Sequence, residues 1–158
     1  CMEIERKFLV GELPPGLDTL AGITIRQGYV DIDDNDFELR LRQKDDLFYQ
    51  TVKQGSGLVR QEYEIELTRD QFKSLWPLTE NRRINKVRYN LSIGDVICEL
   101  DIFGEALKGL QLVEVEFDTL EKSSAFIPPD WFGNEVTEDR RYKNRQFALY
   151  GLPQTTAP

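Results

Sequence analysis

Histidine is absent from all 158 residues, and that absence excludes more chemistry than any single motif. Ser-His-Asp triads, histidine general bases and histidine zinc sites all need an imidazole. Any catalysis here must run on carboxylates, Lys, Arg or Tyr, with or without a metal. Cysteine is nearly absent too. Cys1 and Cys98 give no disulfide framework, which suits a reducing compartment, and Cys98, between Ile97 and Glu99, reads as a small strand residue. Cys1 precedes a methionine that reads as the natural start and is taken as an appended residue. No apolar stretch approaches the roughly 20 residues of a membrane helix. The chain opens on charged residues, so no secretory signal is expected and a cytoplasmic location is. Cations are in deficit, with Lys+Arg 20 against Asp+Glu 28 and a net charge of −8. That argues against a broad basic surface for nucleic acid, while a local cationic pocket remains open.

What is present reads as one soluble domain over 1–158, with a tail over 153–158 expected to fray. Strand-like alternation dominates, near Glu3 to Val10, Ile23 to Asp31, Phe37 to Lys44, Leu47 to Gln54, Val59 to Leu67, Ile84 to Leu91, Val96 to Phe103 and Val113 to Phe117. Short polar turns such as Lys44-Asp45-Asp46 and Ile93-Gly94-Asp95 predict antiparallel neighbours. Helices are few. Thr68-Arg69-Asp70-Gln71 fits a capping box before the stripe Phe72, Leu75 and Trp76. A short helix is expected from Leu120 to Phe126, and a last one from about Asp139 to Tyr150, stopped by Gly151.

The charges on these strands alternate with apolar residues. Side chains two apart on a strand share a face, so Glu3, Glu5 and Lys7 lie together, as do Glu38, Arg40, Arg42 and Lys44. Arg60 and three glutamates face away from Tyr63, Ile65 and Leu67. Lys86 with Arg88, Glu99 with Asp101, and Glu114 with Glu116 repeat the pattern. A sheet with one wet face would also alternate. Like charges at such spacing repel their neighbours, however, and make better sense on a concave, occupied face. A closed barrel with charges inside and apolar residues outside, partly covered by helices, meets that need. The carboxylates are hard oxygen donors suited to magnesium or manganese. Lys7, Arg40, Arg42, Lys53, Lys86 and Arg88 supply cations for an anion. So many cations suit several linked phosphates better than a monoester.

Taken in order, Glu3-x-Glu5-x-Lys7, Arg26-Gln27-Gly28-Tyr29, Glu38-Leu39-Arg40-Leu41-Arg42, Thr51-Val52-Lys53, Arg60-Gln61-Glu62-Tyr63-Glu64, Lys86-x-Arg88, Glu99-x-Asp101, Leu112 to Phe117, and Glu135 to Asp139 with Tyr142-Lys143-Asn144 resemble the CYTH superfamily, the triphosphate tunnel metalloenzymes. The match spans nearly the whole chain, and the cast is most similar to short bacterial members that hydrolyse inorganic tripolyphosphate. The resemblance implies an α+β, mainly β fold: an eight-stranded antiparallel barrel enclosing a triphosphate and a divalent metal, Mg2+ or Mn2+. It implies Glu3, Glu5, Glu114 and Glu116 as chief metal ligands, helped by Glu64 and Asp101. Lys7, Arg40, Arg42, Lys53, Lys86 and Arg88 would hold phosphates, with Lys143 reaching in from a C-terminal plug helix. Lys7 with Tyr29 fits the pair that steers substrate choice, and Glu64 is a candidate to orient water. The expected activity is hydrolysis of tripolyphosphate by metal-activated water. Alternatives are a thiamine or nucleoside triphosphatase, an adenylate cyclase, or a polyphosphate-binding module without catalysis. The expected partner is a small polyphosphate, neither nucleic acid nor membrane, and a homodimer stays open.

Overall fold

The alternation becomes an antiparallel sheet in the computed structural model, which describes residues 4–34, 36–55 and 61–153. Cys1, Glu3, Arg60 and the tail from 154 to 158 lie outside the described residues. The strands are β1 (Ile4–Val10), β2 (Ile23–Tyr29), β3 (Phe37–Lys44), β4 (Leu47–Gln54), β5 (Gln61–Leu67), β6 (Arg83–Ile93), β7 (Val96–Phe103), β8 (Gln111–Phe117) and β9 (Phe132–Glu135). They are ordered β5-β4-β3-β2-β6-β7-β8-β1-β9. Two-residue turns close the β3–β4 and β6–β7 hairpins, with left-handed backbone at Asp45 (φ 50°) and Gly94 (φ 58°), as tight hairpins require.

The mainly β architecture with flanking helices is the expected one, with two differences. β9 was not foreseen: four residues with a Gly-Asn centre carry too little alternation to stand out, and the strand exists because it pairs with β1 at Phe8 and Val10. The ring is also not completed by backbone pairing among the described residues, where β5 and β9 are the two edges. Among the described residues β9 pairs β1 only at Phe8 and Val10, so the start of β1, with Glu5, borders the same edge. Drawing it toward Glu62, Glu64 and Glu66 on the inner side of β5 juxtaposes like charges.

Cross-strand register fixes which residues share a face. Glu5 lies opposite Glu116, Lys7 opposite Glu114, and Leu9 opposite Leu112. Glu114 meets Glu99, and Leu112 meets Asp101. Asp101 meets Arg88, and Phe103 meets Lys86. Lys86 meets Ile25, and Ile84 meets Gln27. Gln27 meets Arg42, and Tyr29 meets Arg40. Arg40 meets Thr51 and Glu38 meets Lys53, and these meet Glu64 and Glu62. One continuous inner face therefore carries nearly every candidate charge.

The outer face is apolar, and the first two of the three helices lie on it. Phe8, Cys98, Leu100, Val113, Val115, Phe117 and Phe132 form one cluster, joined by Phe126 just past α2 (Leu120–Ala125). Leu41, Phe48 and Leu67 form another with Phe72 and Trp76, from α1 (Arg69–Leu75) and the 3-10 turn that follows it. The capping box is present: Thr68 accepts from the Gln71 backbone, and the Gln71 side chain accepts from the Thr68 N–H. Gly28 lets the 3-10 turn approach, because a Cβ there would sit 2.6 Å from Thr79. A third cluster seals one end of the inner face, where Tyr29, Ile84, Phe103 and Leu112 meet Tyr142, Phe147 and Ala148.

The last helix is shorter than expected. Asp139 caps a 3-10 turn (Arg140–Tyr142), Lys143 turns to extended backbone (φ −86°, ψ 141°), and α3 runs Asn144–Tyr150 to Gly151. The break lets both Tyr142 and Phe147 face the same cluster. No helix of the described residues is long and apolar enough to cross a membrane.

Candidate active site

The tightest group on the inner face joins β6 and β7. Arg88 donates from Nε and Nη2 to the two Asp101 oxygens at 2.8 and 2.9 Å. Lys86 Nζ lies 2.8 Å from Asp101 Oδ2, and Arg88 Nη1 lies 2.8 Å from Glu99. Burial alone would raise the Asp101 pKa, but Lys86 and Arg88 outweigh it and hold the carboxyl down at about 2. Burial lowers Lys86 to about 8, with Arg88 and Arg42 adding to the fall and Asp101 opposing it. Burial works against the Arg88 charge as well, and the forked pairing with Asp101 reverses that and raises its pKa.

Across β2 from β6 lies the Arg40–Arg42 pair on β3. Burial, then Arg40 and Arg88, lowers Arg42 to about 10. Its Nε donates to Gln27 Oε1 at 2.9 Å. Arg40 Nη2 donates to Thr51 Oγ1 at 3.3 Å, and Thr51 in turn donates to Glu64 Oε2 at 2.9 Å. The buried Arg40 Nε has no hydrogen-bond partner. An orphaned guanidinium donor beside a second arginine is what an absent anion would satisfy.

Lys7 Nζ donates to the Tyr142 carbonyl at 2.8 Å and lies 3.2 Å from Glu114. Burial would raise the Glu114 pKa, but Lys7 and Lys86 pull it below the ordinary range. Tyr29 is buried, and burial raises its phenol pKa. No hydrogen bond joins Lys7 to Tyr29 among the described residues; Tyr29 accepts from Gln27 instead.

The structure thus brings together on one face Lys7, Tyr29, Arg40, Arg42, Lys53, Lys86, Arg88, Glu5, Glu64, Asp101, Glu114 and Glu116. Glu3 lies outside the described residues. Lys143 is exposed, and its neighbour Asn144 is the group that reaches Lys86, at 3.2 Å. Among the described residues no three acidic side chains converge as a ready metal cage. The donor chemistry nevertheless fits a hard divalent cation. The available ligands are carboxylate oxygens, and two of them, Glu5 and Glu116, stand directly opposite each other across β1 and β8. Gln27, Thr51 and Asn144 stand in motifs that carry the resemblance, but the sequence assigns them no role. No sequence signal marks the first, a neutral amide between Ile25 and Tyr29 on the inward positions of β2.

The family model of the CYTH domain matches residues 2–138. The chain is 51% identical over 148 residues to the inorganic triphosphatase of Nitrosomonas europaea, covering 93% of this chain and 97% of that protein. It is 37% identical over 145 residues to the inorganic triphosphatase of Acetivibrio thermocellus, covering 90% of each. A crystal structure of an inorganic triphosphatase superposes with TM-score 0.77 at 47% identity, covering 97% of this chain and 98% of that one.

Proposed function

The chain belongs to the CYTH family, and from that premise we propose that it hydrolyses inorganic triphosphate to pyrophosphate and phosphate, with a divalent metal, magnesium or manganese, as cofactor. The observation that carries this reading is the segregation of cations and carboxylates onto one sheet face, with the Arg40 Nε orphaned among them. Relatives named inorganic triphosphatase at 51% and 37% identity support it.

Arg40, Arg42, Lys53, Lys86, Arg88 and Lys7 hold the phosphate chain and offset charge on its oxygens, which is the larger part of phosphoryl-transfer catalysis. Glu5, Glu114 and Glu116 hold the cation, with Glu3, Glu64 and Asp101 beside them. A bound divalent cation would polarise phosphoryl oxygens and make a coordinated water more acidic. Glu64, fixed by Thr51 at 2.9 Å, orients water and takes up its proton. Lys7 and Tyr29 contact the substrate at the sealed end, and Lys143 meets it from the rim. The apolar cluster around Phe147 fills that end of the face, which disfavours a base or thiazole ring and favours a bare phosphate chain. A cytoplasmic location and action as a single domain belong to the same proposal. The test is phosphate release with magnesium or manganese: tripolyphosphate should be cleaved far faster than pyrophosphate, ATP or thiamine triphosphate. Preference for either organic triphosphate would overturn the substrate assignment.

A further inference from the structure

Gln27 is completely buried on β2, on the inner face, between the inward Ile25 and Tyr29 and opposite Ile84 and Arg42. Its amide oxygen accepts from Arg42 Nε at 2.9 Å, and its amide nitrogen donates to Tyr29 Oη at 2.9 Å. The orientation of that amide is dictated by its partners. A guanidinium only donates, so the oxygen must face Arg42, and the nitrogen must then face Tyr29. The phenol oxygen is therefore an acceptor, and its own hydrogen has no acceptor among the described residues. On the other side, gripping Arg42 by Nε leaves both Nη groups without a hydrogen bond to a described residue, turned to the same face as the orphaned Arg40 Nε.

We propose that Gln27 is a positioning residue for triphosphate hydrolysis, one amide that aims the Arg42 fork and the Tyr29 hydroxyl at the same phosphate chain. The inference rests on the triphosphatase reading above. Ionised phosphate oxygens accept and cannot donate, so both groups must present hydrogens to them. An apolar residue in place of Gln27 would leave Arg42 free to swing and the phenol free to rotate. Packing alone needs no amide there, since Ile84 and Ile25 fill the neighbouring inward positions.

The test is a double-mutant cycle in tripolyphosphate hydrolysis with magnesium, using wild type, Gln27→Met, Arg42→Lys and the double variant, with thermal unfolding as the check on folding. Lysine has no Nε fork to be held, so Arg42→Lys discards the Arg42 share of what Gln27 positions and leaves only the smaller Tyr29 share. Gln27→Met should lower kcat/KM about tenfold, mainly through KM, in the wild-type background. In the Arg42→Lys background it should cost less than about twofold. If Gln27→Met does not fold, Gln27→Asn takes its place, since its amide is one methylene too short to span both partners. An active wild type whose cycle is additive, or whose Gln27 variant is fully active, overturns the inference alone. A wild type that hydrolyses no tripolyphosphate overturns the parent reading and the inference with it.

Discussion

At the scale of single residues, the inner face gathers like charges at a cost in stability. Arg42 is pushed down to about 10 by burial and by Arg40 and Arg88, so the folded state resists its charge. Arg42→Ala should therefore give a folded, substrate-free protein with an equal or higher melting temperature. Its kcat/KM should fall at least about tenfold, the scale of one charge-assisted hydrogen bond. Unfolding with full specific activity in the surviving fraction would make Arg42 structural. Asp101 acts in the opposite sense. Its folded pKa of about 2 lies below the ordinary 3.8, so its contribution, about 2 kcal/mol, is present above pH 4 and disappears as the pH falls toward 2. Unfolding free energies of metal-free wild type and Asp101→Asn should converge over that range, and a constant gap would show that the pairing is not the cause. Single residues were the most legible level, because each inward Lys, Arg, Glu and Asp declares itself by spacing two. Gln27 was not legible, since a neutral amide carries no charge pattern and its role depends on two partners, one of them on another strand.

At the scale of elements, period-two alternation made eight strands and the Thr68 capping box readable in advance. β9 and the break at Lys143 were not, because both are set by tertiary packing against Phe8, Val10, Phe103 and Leu112 rather than by local pattern. The contact between β2 and the 3-10 turn after α1 was equally hidden in a lone glycine. Gly28→Ala should cost about 1–3 kcal/mol, because its Cβ would lie 2.6 Å from Thr79. Chemical denaturation would read this as a lower midpoint with little change in slope. An unshifted midpoint would mean that the turn yields freely. Asn144, on α3, reaches Lys86 at 3.2 Å and ties the sealed end of the inner face to the tightest ion cluster.

At the scale of the whole molecule, two of the three hydrophobic clusters lie on the face of the sheet opposite the candidate active site, and the third closes one end of it. Carboxylates alone cannot polarise a phosphoryl oxygen, so exhaustive chelation should abolish hydrolysis and added magnesium or manganese should restore it. Undiminished turnover after chelation would exclude the metal. Glu5→Gln, which keeps shape and removes ligand charge, should leave the melting temperature within a few degrees and reduce turnover at least about a hundredfold. A near-normal rate would remove Glu5 from the site. The two-faced sheet also constrains how such a chain can change length over generations. Inserting or deleting one codon within a strand inverts every side chain beyond it, driving glutamates and arginines into the Phe8–Val115 core and valines onto the charged inner face. Two codons restore the parity. Viable length variation should therefore collect in the turns, and within strands only in steps of two.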